Sequence, residues 1–322
     1  MVLIRIKMYG IIISIIVMVF VFVFFVLNDL NNINKESEKH NFSEDKKIQW
    51  NIKLLDPYMN SGRSEGRTKV KIAILDSGIN QQHQDLKDIV KKEYNAVTPK
   101  RPVTDDFGHG TAVAGIIGAR QSNKGITSYN HSGVELYDVK VLNQQGKGDV
   151  DSLIKGIEWS IKEGVHIINI SSGVVTNKAK LKSSIDKAVS HGIIIVAAAG
   201  NTYGTGVEYP AKYTNVISVN SIKKNLKRPS SAARGKIDYI APGVDILSTN
   251  HRGEYSLFTG TSFAAGHVTG VISLYVQDYL SKSKKLNVDE LMKKLKQESR
   301  KVQSLNDDEQ GNGLIIYNHK GA

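Results

Sequence analysis

A chain of 322 residues, 40% of them hydrophobic, is long enough to bury a sizeable core, as one domain or two small ones, and too apolar to be disordered. It has no cysteine, which excludes disulfides, thiolate metal sites and a cysteine nucleophile together, and leaves the compartment to be read elsewhere. Its 43 basic and 31 acidic side chains give a formal charge of +12, but the basic clusters at 178–182, 223–228 and 282–285 have little aromatic interleaving and form no nucleic-acid module, so no nucleic-acid partner is expected.

Residues 8–27, MYGIIISIIVMVFVFVFFVL, are an uncharged run of 20. At about 1.5 Å per residue it spans roughly 30 Å, enough for one membrane crossing. It is longer than the apolar region of a cleavable signal and is followed by polar NDLNNINKESEKH. A single-pass anchor is expected, with a secreted, cleaved form as the alternative. Arg5 and Lys7 before the run are matched by Lys35 and Lys39 after it, and the N-terminal amine tips the orientation towards an extracellular body. Residues 28–48 read as a polar tether and 49–322 as the folded domain.

Within that domain VKIAIL (70–75), LYDVKVL (136–142), VHIINI (165–170), GIIIVAAA (192–199) and VISVNSI (216–222) are strand-type runs. Helical patterns separate them, at 109–119, 150–163 and 181–190 among others. Unbroken β-branched runs imply strands covered on both faces, hence an α/β domain with a mostly parallel sheet. Ligands of such sheets bind beyond the carboxyl ends of the strands. Asp76 follows one run, Ser171 another and Asn201 a third.

Each polar candidate has a structural reading beside a chemical one. Asp76 in AILDSGIN would cap the next turn; His109 in DDFGHGTAVAGIIG would be a polar loop histidine; Ser262 in TGTSFAAGHVTG would be a helix N-cap. Together, an Asp, a His and a Ser at Gly-flanked boundaries are the parts of an activated nucleophile, in which the His takes the Ser proton and the acid orients the His. The order Asp, His, Ser is one of the three known for such triads. The DFG at 106–108 lacks the other kinase motifs, and HExxH and P-loop patterns are absent.

From about residue 49 onwards the chain resembles the subtilisin-like serine proteases, the subtilases. AILDSGIN, GHGTAVAGIIG, LYDVKVL, GIEWSI, INISSG, AAAGN, YPAKYTNVISV, DYIAPGVDILST and GTSFAAGHVTG occur in the family's order at about its spacing. The resemblance implies a three-layer fold, a mostly parallel sheet flanked by helices. It implies a serine endopeptidase with Asp76, His109 and Ser262 as triad, Asn201 and the Ser262 N–H as oxyanion hole, and no cofactor for the chemistry. A polypeptide would add as a strand between Gly146–Gly148 and Ser171, Ser172 and Gly173. Asp149 and Asp151 would either favour a basic residue several positions before the scissile bond or place charge at a helix N-terminus. Tyr209-Pro210 matches a block where the family has a cis peptide.

Four features depart from the family's pattern. Gly266 stands where a proline is usual, and Ala112 where a second histidine is. Residues 120–133 lack the family's Gly-Val-Ala-Pro, and although Asp85 matches a calcium ligand, one carboxylate is not a calcium site. Only residues 28–48 lie where secreted relatives carry a folding-assistant segment, so the domain is expected to fold unaided or with help in trans. GNGLIIYNH (311–319) resembles the closing strand, with no further domain expected after it. The expected process is maturation of a secreted peptide or leader. The alternative is an inactive, membrane-tethered binding protein that keeps the fold, which would be expected to have lost a triad member. Oligomeric state is not legible.

Overall fold

The computed structural model describes residues 48–57, 59, 68–120, 125–282 and 285–318. Contacts divide the chain between Asp45 and Lys46, and the described residues all belong to the second unit, Lys46–Ala322. The expected anchor at 8–27, and all of the expected tether but Ile48, lie outside the described residues. Among the described residues no helix is long and apolar enough to cross a membrane.

The β-branched runs form strands buried on both faces. They are β1 (Val70–Asp76), in which only Lys71 is not buried, and the wholly buried β4 (Ile167–Ile170), β5 (Ile194–Ala198) and β6 (Ile217–Ile222). β2 (Val90–Asn95) reads VKKEYN; its exposed lysines hide it from a search for apolar runs, and it forms one edge of the sheet. β3 (Val134–Lys140) begins and ends two residues before the expected 136–142. β7 (Tyr239–Pro242), β10 (Ser299–Arg300) and β11 (Leu314–Ile315) complete the other side. Among the described residues the nine strands run β10-β11-β7-β6-β5-β4-β1-β3-β2, and only the β10–β11 pair is antiparallel. β8 (Ile246–Thr249) and β9 (Tyr255–Phe258) form a separate antiparallel pair.

Helices pack on the sheet in two groups: α3 (Val150–Lys162) with α4 (Ala179–Ser190), and α2 (His109–Gly118) with α5 (Thr261–Ser281). α3 buries Leu153, Gly156, Ile157 and Ser160, an i, i+3, i+4, i+7 stripe. α5 is different, being buried on every side from Thr261 to Val276. A helix buried all round belongs inside the core, and α5 runs there against β4, β5, β6 and β7. α1 (Trp50–Leu55) precedes the sheet, while α6 (Val288–Gln297) and α7 (Asp307–Gln310) follow α5.

The strand order locates the site. β1 lies between β3 and β4, with Asp76 in register with Lys140 on one side and Leu75 with Ile170 on the other. From β1 the chain goes to the edge strand β2 and returns to insert β3 between them, then crosses to the other side of β1 to build β4 to β7. This reversal opens a crevice at the carboxyl ends of β1 and β4.

Candidate active site

Asp76 closes β1 and His109 opens α2. His109 Nδ1 donates to Asp76 Oδ1 at 2.8 Å, and the Ser77 N–H donates to the same oxygen at 2.8 Å. The helix start presses on the strand end so closely that a Cβ on Gly110 would lie 2.2 Å from the Gly78 carbonyl oxygen. Glycine at 110 is a requirement of this approach.

Two charged groups that the sequence reading passed over hold the pair together. Asp105 accepts hydrogen bonds from the Ser77 hydroxyl (2.8 Å) and from the Gly108 (2.7 Å) and Thr111 (3.0 Å) amides, so one carboxylate ties the loop after Asp76 to the start of α2. Lys140, buried at the end of β3, donates to the Ser77 carbonyl at 2.6 Å and the Thr104 carbonyl at 2.7 Å, with Asp106 Oδ2 at 3.4 Å. The available signal was weak: an acid four residues before a histidine, and a lysine ending an apolar strand.

Burial acts to lower the His109 pKa, but the Asp76 charge and hydrogen bond, helped by Asp105, outweigh it and raise the value above 6.5. The imidazolium that forms when His109 takes a proton is thereby stabilised. Phe263 on α5 packs against the ring at 5.2 Å between centroids.

α5 begins at Thr261 with Gly260 as its N-cap, so Ser262 is not a cap. It lies in the first turn, where backbone N–H groups have no partner within the helix and the helix dipole is positive. Its hydroxyl donates to the Ser171 carbonyl at 3.1 Å. Thr261, also passed over, donates from its amide (3.2 Å) and hydroxyl (3.4 Å) to Asn201 Oδ1. With the carbonyl end of the side chain held, the Asn201 amide nitrogen remains as a donor.

His109, Asn201 and Ser262 line one cleft of about 520 Å³ together with Phe107, Gly146, Gly148, Ser171, Ser172 and Gly173. Asp76 stands behind His109, 1% exposed. The 146–148 wall is a turn closed by the Asn143 N–H on the Lys147 carbonyl, with Leu142 bridged to Gly148. Tyr209-Pro210 is cis. Asp149 caps α3: its carboxylate accepts from the Ser152 amide at 2.7 Å and hydroxyl at 3.0 Å, and the amide bond lowers its pKa. Asp151 lies in the first turn of the same helix. Asp149 therefore follows the helix-terminus reading, since its oxygens are already engaged.

The structure does not show a calcium site at Asp85, the residue that matches a calcium ligand. Asp85 is fully buried and accepts from the Tyr255 hydroxyl of β9 at 2.7 Å; its other oxygen has no donor among the described residues. Among those residues no group of three or more His, Asp or Glu could hold a metal ion. Calcium takes six to eight oxygens.

Residues 67–313, well over half of the chain, match the Subtilase family, Peptidase S8. Subtilisin DY of Bacillus licheniformis is 38% identical over 215 residues, 65% of this chain and 77% of that protein. Subtilisin E of Bacillus subtilis (strain 168) and a subtilisin of Bacillus pumilus are each 40% identical over 228 residues, 67% of this chain. The match covers 58% of the length of subtilisin E and 80% of the Bacillus pumilus protein.

Proposed function

This chain belongs to the subtilase family, and we propose that it hydrolyses peptide bonds through Asp76, His109 and Ser262, with Asn201 as oxyanion donor. Subtilisins are serine endopeptidases that need no cofactor for the chemistry, and the chain is of that enzyme class. The observation carrying the residue roles is the 2.8 Å bond between Asp76 and His109 at a cleft that Ser262 and Asn201 also line.

In this reading the Ser262 hydroxyl turns from the Ser171 carbonyl to His109. His109 Nε2 takes its proton as Oγ bonds to the scissile carbonyl carbon and the carbonyl π pair moves onto oxygen. The Ser262 N–H and the Asn201 amide hold that oxyanion. The intermediate collapses by breaking the C–N bond, and His109 gives the proton to the leaving amine. Water then repeats the sequence on the acyl-enzyme, with His109 as base, releasing the acid and restoring Ser262. Asp76 remains ionised throughout and fixes the His109 tautomer.

The apolar run at 8–27 supports a further reading: the chain is anchored by one N-terminal span with its catalytic domain outside, and matures a secreted peptide or leader. Cleavage of the run would give a secreted form. The test is the full chain in detergent, given a fluorophosphonate probe and a peptide library beside Ser262→Ala. Labelling and cleavage by wild type alone are expected. A folded wild-type chain that neither labels nor cleaves would leave the inactive binding protein as the reading.

A further inference from the structure

The catalytic scheme leaves Glu208 without a task. Its N–H donates to the Ala199 carbonyl at 3.0 Å, and the next residue, Tyr209, pairs through its backbone with Val174. Glu208 is thereby wedged between the segment that follows β4, which carries Ser171, and the one that follows β5, which carries Asn201. A Cβ on Gly173 would lie 2.7 Å from Glu208 Cβ and Oε2, and one on Gly200 would lie 2.7 Å from Oε2. Two glycines thus make the room in which this carboxylate stands, and Gly173 is itself part of the cleft wall.

Among the described residues no cation and no donor engages the Glu208 carboxylate. The lysine nearest in sequence, Lys212, has its ammonium over the Tyr209 ring at 5.6 Å. Burial is the influence that acts on Glu208, and it raises its pKa. A partly buried, unpaired carboxylate costs stability that a cation from outside would recover. The position says which cation. In the endopeptidase reading, a substrate carbonyl held between Ser262 and Asn201 would belong to a residue lying along 171–173, and its side chain would pass Gly173, behind which Glu208 stands.

Resting on the endopeptidase reading, we infer that Glu208 determines specificity in this cleft, by pairing with the Lys or Arg side chain of the residue whose carbonyl Ser262 attacks. Asp149, whose carboxylate caps α3, does not supply this charge.

The experiment compares kcat/KM of the full chain on matched peptides differing only at that residue: arginine, citrulline (the same shape uncharged), lysine and norleucine. A preference on the order of 10²-fold for each cation over its neutral partner is expected. Glu208→Gln should reduce the ratio to within a few-fold of one, with fluorophosphonate labelling reporting that its site is assembled. A wild-type ratio near one, or a ratio that survives in Glu208→Gln, overturns the inference while leaving the endopeptidase standing. If Glu208→Gln does not fold, Glu208→Ser is read in its place, with the same two outcomes. A wild-type chain that cleaves and labels nothing overturns both readings, and the missing labelling marks that outcome apart.

Discussion

Burial and charge pull on His109 in opposite directions, and the direction that wins sets a pH dependence. A base must be neutral to accept the Ser262 proton, so kcat/KM should rise with pH through the His109 pKa, with its midpoint above 6.5. Asp76→Asn removes the charge that outweighs burial. The limb should then move to lower pH while kcat falls by about 10⁴-fold, because the tautomer and the imidazolium both lose their partner. A pH profile of both proteins checks this, and an unmoved limb would place the control of His109 elsewhere. Asp76, His109, Ser262 and Asn201 were legible at this scale because each is a polar residue at a Gly-flanked boundary. Asp105, Thr261 and Glu208 were not, since each acts on residues brought near only by folding: Asp105 bonds Ser77, Thr261 bonds Asn201, and Glu208 faces Gly173.

At the scale of elements, α5 both presents Ser262 and forms the core, so its packing against α2 bears on the site. Gly266 is the position where the family pattern has proline, and the sequence suggested a locally looser helix. In the structure a Cβ there would meet Ile116 Cγ2 at 3.5 Å and Val113 Cγ1 at 3.6 Å, ordinary contact distances. Gly266→Ala should therefore stabilise the protein by about 0.5–1 kcal/mol through helix propensity and a less disordered unfolded chain. Thermal melting should show a rise of about 1–4 °C. Gly270→Ala is the control: one turn further along, a Cβ would stand 2.5 Å from the Tyr129 ring, and the melting temperature should fall. Two glycines in one helix, indistinguishable in sequence, differ because different neighbours face them.

Across the whole molecule, His267 ties the start of the described chain to the core helix. Its Nε2 is 3.3 Å from Asn51 Nδ2 of α1, its ring meets Tyr129 edge-on at 5.6 Å, and burial pushes its pKa down to about 3. A folded pKa below the unfolded value of about 6.5 gives stability that is fully present above pH 6.5 and lost as pH falls towards 3, because the unfolded state then binds the extra proton. The loss should approach about 1.4 kcal/mol per pH unit. His109, with its raised pKa, is protonated in both states below 6.5 and adds no slope there. Denaturant titrations of wild type and His267→Gln between pH 7 and 4 should converge as pH falls, and parallel curves would refute the assignment.

Taken alone, the sequence determined the fold class, most of the buried strands and the residue types of the site. Apolar periodicity reports burial, and turn glycines beside reactive side chains mark where strands end. Tertiary structure decided the rest. The crossing of β4 to the far side of β1 brings Asp76 and Ser171 to one crevice. The docking of α2 on the end of β1 puts His109 on Asp76, and the cap at Gly260 leaves Ser262 inside the first turn. Asp149 and Glu208 show the reason: both are acids near the cleft, but one has a helix start to neutralise it and the other has only the space between two glycines. A carboxylate's role follows from what surrounds it, and those surroundings come from chain segments far apart in sequence.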